Sequence, residues 1–580
     1  MNGPPQRTLF RPARRRARRL THALLLAGGA LGCQQGLPSA DLVMVGGTIL
    51  TMDPAQPRVE ALAVRDGRIV FAGPGAGASR LAGPSTRVMN LEGRMVLPAF
   101  VDAHIHPVTG GMELTGCDLA EQRTAAEVLS RIAECAEALP DSAWLLGSSW
   151  DLPIFPDAAP RKEWLDSLLG DRPAYLSAAD GHSAWVNSAA LRLAGIGRET
   201  EDPRDGRIER DTLGEPTGTL RESAMALVSD IVPPPAAEQL VEGLRRTVAL
   251  LQEQGVTAFL EARANRSLLT AYRHLDRLGE LQATVVAALH AVPERGAAQV
   301  DSLVALRTEF SSAVLRPTAV KIFLDGVIEA RTAAMLQPYS DRPGFAGEPG
   351  WGMEALDSLA TRAVSAGFSL HFHAIGDRAI RMALDAIEAA ERGRPREGRR
   401  HQITHLQVID TADVARFHAL SVTATFQPLW AYPDSYIRDL TWPALGPARS
   451  TRLYPIGDVH RAGGRLAFGS DWNVSSLAPL RGIQVAVTRR DPSDTTGAQL
   501  LPEQAIDLEA ALRAYTAGSA WALGLEAAQG ALMEGSMADI VVLERDLLVV
   551  PPSRIGETRV LLTFHEGRPV FGSLDSLSGR

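Results

Sequence analysis

The run Met95-Val96-Leu97-Pro98-Ala99-Phe100-Val101-Asp102-Ala103-His104-Ile105-His106-Pro107 is apolar for most of its length and ends in two histidines one residue apart. On a strand, side chains at i and i+2 leave from the same face, so His104 and His106 can approach one ion from the strand's C-terminal end. Neutral imidazoles suit zinc and similar divalent ions. Short His-x-His spacings also arise by chance, so the rest of the chain decides what this pair is for.

Lys162 and Lys321 are the two lysines among 59 lysine and arginine residues. Lys321 stands inside the apolar run Thr318-Ala319-Val320-Lys321-Ile322-Phe323-Leu324-Asp325-Gly326, where an amine is costly unless paired or neutral. Burial neutralises an amine, and a neutral amine can add carbon dioxide to become a carbamate that bridges two metals, which arginine cannot do. The alternative is an aliphatic stem that snorkels to a carboxylate.

Two further apolar runs end in histidine: Ser369-Leu370-His371-Phe372-His373 and His401-Gln402-Ile403-Thr404-His405. Alternation puts both members of each pair on one face, so it does not choose between them. Position does, since the later histidine lies nearer the C-terminal end. His373 and His405 are therefore assigned as ligands, with His371 and His401 as core or supporting histidines. Arg465-Leu466-Ala467-Phe468-Gly469-Ser470-Asp471-Trp472 ends in an aspartate that can coordinate a metal and take a proton from metal-activated water; a helix N-cap is its alternative use.

These residues need elements that hold them at one end of a common sheet. Eight strand-like runs lie near 95–103, 256–261, 283–290, 318–324, 368–373, 401–406, 421–426 and 465–470, most separated by helix-compatible sequence. Eight is the number for an α/β fold of the closed (β/α)8, TIM-type barrel, whose functional residues sit at the C-terminal strand ends. Before the second run, apolar residues at 240, 241, 244, 248 and 251 form a helical stripe. Residues 107–235 have no place in the strand count and read as a long insertion after strand one, within a barrel region of 94–529. In it, His182, Trp150 and Asp151 are candidates for a lid over the barrel mouth, His182 either contacting substrate or fixing the insertion by hydrogen bonds. Arg331 after strand four and Phe426-Gln427-Pro428 after strand seven are further pocket candidates. Short β-rich runs with turns such as Asp66-Gly67 and Glu566-Gly567 fill 41–93 and 530–575. The two ends are expected to share a small composite β-sandwich, two separate hairpin arms being the alternative.

The chain has 580 residues, 45% hydrophobic and 22% charged, ample for a large core and a second small domain. Seven arginines between Arg7 and Arg19, then an apolar stretch to Cys33, read as a signal peptide over 1–32. Ala30-Leu31-Gly32-Cys33 resembles a bacterial lipoprotein cleavage box that leaves Cys33 lipidated; an ordinary secretory signal is the alternative. The expectation is an exported protein, held at a membrane only through a lipid anchor or else periplasmic or secreted. Removing that segment takes the 59 basic and 67 acidic residues to a net charge of −15, which argues against a nucleic-acid partner. Cys117 and Cys135 could pair in an oxidising compartment. The oligomeric state is left open.

The order His-x-His, Lys, His, His, Asp on successive strand ends resembles the amidohydrolase superfamily. More narrowly, Asp180-Gly181-His182-Ser183-Ala184-Trp185-Val186-Asn187-Ser188, Val320-Lys321-Ile322-Phe323-Leu324-Asp325-Gly326, His373-Ala374-Ile375-Gly376-Asp377-Arg378-Ala379 and Gly469-Ser470-Asp471-Trp472 are similar to amidohydrolase family 3, the YtcJ-like and N-substituted formamide deformylase-like proteins. The resemblance implies the barrel, the sandwich, a zinc-type centre of one or two ions, and hydrolysis of a small-molecule amide. It places one metal on His104 and His106, another on His373 and His405, carboxylated Lys321 between them, and Asp471 on the first metal as general base. Cyclic amides, urea-like bonds and esters are open to the same centre. Glu329 departs from the small residues that the family's pattern carries there. A rival of another class is an exported lipoprotein that binds a ligand without turnover, but a receptor has no need of Asp471 as a base or of a bridging carbamate.

Overall fold

The computed structural model describes residues 39–576, apart from 115, 139–142, 204, 395–397 and 495. The expected signal peptide and Cys33 lie outside the described residues. Eight parallel strands form the central sheet: β1 (Phe100–Ile105), β2 (Val256–Ala264), β3 (Thr284–His290), β4 (Leu315–Phe323), β5 (Ser369–Ala374), β6 (Gln402–His405), β7 (Thr423–Phe426) and β8 (Arg465–Phe468). They neighbour one another in chain order. Just beyond β8 the chain meets β1, with Asp471 N donating to His104 O at 2.8 Å and His106 N donating to Trp472 O at 2.8 Å. The barrel is thus drawn together at its C-terminal mouth.

The strands are near-continuous apolar runs because both of their faces are covered. Phe259, Val285, Val320, Phe372 and Ile403 pack in one core with Leu244, Leu275, Leu356 and Ile380 of the surrounding helices. The helix before β2, Ala237–Glu253, buries Leu240, Leu244, Val248 and Leu251 along the stripe read from the sequence.

The expected first strand, 95–103, is divided between two sheets. Ala99 N donates to Asp539 O, whereas Phe100 N donates to Gly255 O, both at 2.9 Å. Met95–Pro98 therefore pairs antiparallel with Ile540–Leu543, joining the two ends of the chain in an eight-stranded sheet outside the barrel. Hairpins in this sheet turn at Asp66-Gly67 (φ 50° and 74°) and Glu566-Gly567 (φ 49° and 74°), the paired positive values that a two-residue turn needs and glycine eases. Leu62, Val64, Val96, Val542 and Phe564 share its core.

After β1 the chain runs through the helix Pro107–Glu113 into an insertion with its own six-stranded sheet, from Cys117–Asp118 at one edge to Gly206–Arg210 at the other. Its core holds Leu145, Trp150, Phe155, Leu165 and Trp185. A disulfide joins Cys117 to Cys135, with Cα atoms 5.7 Å apart. It ties the edge strand to the helix Ala125–Glu137.

Candidate metal centre and active site

His104 lies near the end of β1, and His106 follows it at the start of the next helix. The Nε2 atoms of His104 and His106 stand 3.3 and 3.2 Å from Asp471 Oδ1, an oxygen with no hydrogen-bond partner. One ligand atom from each of the three lies within 4.8 Å of the others, the one such group among the described residues. Close approach of β1 and the segment after β8 makes this possible. A Cβ on Gly469 would sit 2.6 Å from His104 N, so only glycine fits there. The buried Asp102 carboxylate accepts from His104 N at 3.0 Å and Ser470 N at 3.1 Å, clamping both ligand segments. Burial pushes the Asp102 pKa up to about 7, against these hydrogen bonds. The signal for Asp102 in the sequence is a carboxylate inside an apolar run, a weaker mark than the histidines that close it.

The second set adjoins the first. The His405 ring lies 4.9 Å from that of His104 and 4.4 Å from that of His373. Nδ1 of His405 donates to Gln427 Oε1 at 2.9 Å, and Trp430 stacks on the ring at 5.5 Å. Gln427, expected in the pocket, thus fixes the tautomer and plane of His405. His371 shares a 2.7 Å hydrogen bond with His104 Nδ1 and so stands behind a candidate ligand. His401 accepts from Leu370 N and donates to Glu391, a satisfied core histidine.

Lys321 is fully buried, and its Nζ has no hydrogen-bond partner. The amine lies 4.4 Å from the Phe323 ring centroid. Burial lowers its pKa to about 7 despite the attraction of Asp471, with Arg263 adding to the depression. Burial also lowers the His104 pKa to about 3, with the charge of Lys321 adding to it. For Asp471, burial favours the neutral acid, but His104, His106 and His405 outweigh it and hold the carboxyl well below its usual range. Imidazoles, an ionised carboxylate and an unpaired buried amine whose charge is disfavoured converge on one place. That donor set fits a divalent ion of the zinc type.

Residues 87–571 match the amidohydrolase family. The chain belongs to the amidohydrolase family. It is 30% identical to YtcJ of Bacillus subtilis over 91% of this chain and 98% of that protein. To N-substituted formamide deformylase of Arthrobacter pascens it is 28% identical, over 91% and 97% of the two chains. A solved metal-dependent hydrolase from Pyrococcus horikoshii superposes with a TM-score of 0.70 at 27% identity, over 88% of this chain and 99% of the other.

The insertion of this amidohydrolase reaches the mouth through His182, whose ring lies 4.8 Å from that of His373. His182 Nδ1 donates to Glu222 Oε2 at 2.7 Å. Burial works against a charge on His182, but Glu222 and Asp180 outweigh it and raise the pKa to about 9. Two other expected substrate contacts are placed elsewhere. Trp150 is completely buried in the insertion's core, its indole N–H donating to Leu176 O and its ring packed on Phe155 and Trp185. Arg331 folds back onto Asp341 and Glu329 O, since its positive φ of 61° turns the chain there. Glu329 is buried beneath the mouth, accepting from Gln407 Nε2 at 2.8 Å and from Thr441. Asp151 accepts from Tyr436 OH at 3.1 Å, linking the insertion to the segment after β7. Glu261, unremarked in the sequence, stands 3.9 Å from His106 Nδ1 and accepts from Tyr272 OH.

Proposed function

We propose that this amidohydrolase cleaves a C–N bond of amide type in a small molecule. The observation that carries the reading is the convergence of His104, His106 and Asp471 beside the unpaired, buried amine of Lys321. His104, His106 and Asp471 would hold one divalent ion and His373 and His405 a second, with Lys321, as a carbamate, between the two sets; bound metal would supply activated water and polarise the carbonyl. Asp471, kept ionised by its histidine neighbours, takes the proton and delivers it to the leaving nitrogen. His371 and Gln427 hold the rings of His104 and His405 in register through their outer nitrogens. His182, cationic beside Glu222, is placed to donate to a carbonyl oxygen next to His373. The similarity to a protein named as an N-substituted formamide deformylase supports amides as the substrate class. The basic and apolar segment before Cys33 supports an extracytoplasmic setting for this chemistry.

Elemental analysis of the purified mature protein, coupled to amine release from a panel of N-formyl and N-acyl amines, tests the reading. Zinc-type metal bound to the chain and release that stops on chelation and returns on metal addition are expected. Metal-replete protein that releases no amine from any member would instead favour ligand binding without turnover.

A further inference from the structure

Around Phe323 the mouth carries a guanidinium and an imidazole that the metal centre does not use. The Arg263 guanidinium lies over the Phe323 ring at 5.6 Å, and His290 meets the same ring edge-on at 5.5 Å. Phe323 in turn lies 5.1 Å from His373 and 4.4 Å from Lys321 Nζ. Arg263 comes from the end of β2, two residues after Glu261, and His290 ends β3 in register with Lys321 of β4. Both therefore stand at the rim of the reaction centre.

What sets Arg263 apart is its lack of a partner. Arg331 is paired with Asp341, Arg207 with Glu209, and Arg123 with Asp151. The guanidinium of Arg263 has no hydrogen bond or ion pair among the described residues. Glu261, the carboxylate whose charge acts on it, already faces His106 and Tyr272. Solvent reaches Arg263, yet the surrounding walls desolvate it enough to lower its pKa, with the insertion's Tyr175 within range of its charge. A wet guanidinium in a recess, beside an aromatic platform and a half-buried imidazole, can offer a planar fork of N–H donors to a carboxylate.

We propose that Arg263, with His290 and Phe323 beside it, forms a subsite for an anionic carboxylate on the substrate, so that the preferred amide is an N-acyl amino acid or a similar acidic amide. The identity of the substrate rests on the hydrolase reading; the binding of the anion does not. The acyl carbonyl lies over the histidines and Lys321, and the carboxylate of the amine half reaches past Phe323 to Arg263.

The test compares N-formyl and N-acetyl amino acids with the neutral N-methylamides of the same compounds, by calorimetric affinity and by amine release. The wild-type protein is expected to prefer the acids by about 10- to 100-fold, the range of a charge-assisted contact. Arg263→Met should close the gap and Arg263→Lys should keep part of it. The ratio of acid to amide is the readout, so any general loss in a variant cancels. Equal affinity for acids and amides in the wild type, a gap that survives Arg263→Met, or no Arg263-dependent binding anywhere in the panel overturns the subsite. Inorganic phosphate binding more tightly than every N-acyl amino acid, and losing affinity in Arg263→Met, overturns the carboxylate assignment in favour of a phosphate. Turnover of amides with no acid preference defeats the subsite and leaves the hydrolase reading standing. An Arg263-dependent preference without turnover does the reverse.

Discussion

Two buried polar clusters lie at opposite ends of the barrel, and they differ in how their atoms are satisfied. At the N-terminal end, Asp539 accepts from His565 Nδ1 at 3.1 Å, Glu566 N at 2.7 Å, Thr257 Oγ1 at 3.4 Å and Gln529 Nε2, which also donates to Thr284. At the mouth, Lys321 Nζ, His371 Nδ1 and Asp471 Oδ1 have no hydrogen-bond partner. Each unsatisfied buried group costs about 1–3 kcal/mol, and folded proteins retain few of them. The lower cluster is glue between the barrel and the outer sheet. The upper one gives up local stability to keep donors free for something else, which is where the general rules of folding are expected to fail.

The largest effect that separates the two belongs to Asp471. Asp471→Asn should lower kcat by about 10²- to 10⁴-fold, as removal of a general acid or base does, with far less effect on the unfolding midpoint. If amide hydrolysis persists at the wild-type rate, the role assigned to Asp471 is wrong. Next comes Lys321→Ala, read as metal per chain. The bridged reading expects roughly two ions falling sharply in the variant. A single ion unaffected by the substitution would move Lys321 to the same structural class as Lys162, whose Nζ donates to Pro216 O at 2.7 Å.

How far the sequence showed this depended on whether the signal was local. Strand positions were legible because strands covered on both faces are written as apolar runs, and candidate ligands were legible because they close those runs. The switch of sheets at Ala99 was not, because it depends on Ala99 and Phe100 choosing carbonyls more than 150 residues away. Trp150 misled because an aromatic in an insertion looks the same whether it faces a substrate or, as here, Phe155 and Trp185. Arg331 misled because its partner, Asp341, lies in a loop with no periodic signal. Asp102 and Arg263 went unread for opposite reasons: the first looked like part of a strand, and the second gains meaning only from having no partner.

Gln427→Ala sharpens the contrast at the mouth without touching a ligand. It removes the acceptor that fixes His405 Nδ1. Partners of this kind are worth about 10- to 100-fold in metal affinity or activity. Gln427→Glu, which keeps an acceptor, should recover most of the loss. Equal losses in both variants would show that Gln427 acts by packing and not through the ring of His405.

The smallest effect comes from the satisfied end, and it is a matter of pH. Burial lowers the pKa of His565, but the hydrogen bond and charge of Asp539 outweigh it, so the net shift is upward from 6.5. The folded state therefore holds this proton more tightly than the unfolded chain. Its contribution is fully present below about pH 6.5, the unfolded value, and fades as pH rises through the higher folded value. Denaturant midpoints of wild type and His565→Gln should be furthest apart in mild acid and converge above neutrality. Asp539→Asn should flatten the same difference, because the aspartate is what raises the histidine. A gap that widens with rising pH would mean that His565 is held neutral, and that the lower cluster is bonded by dipoles and not by an ion pair.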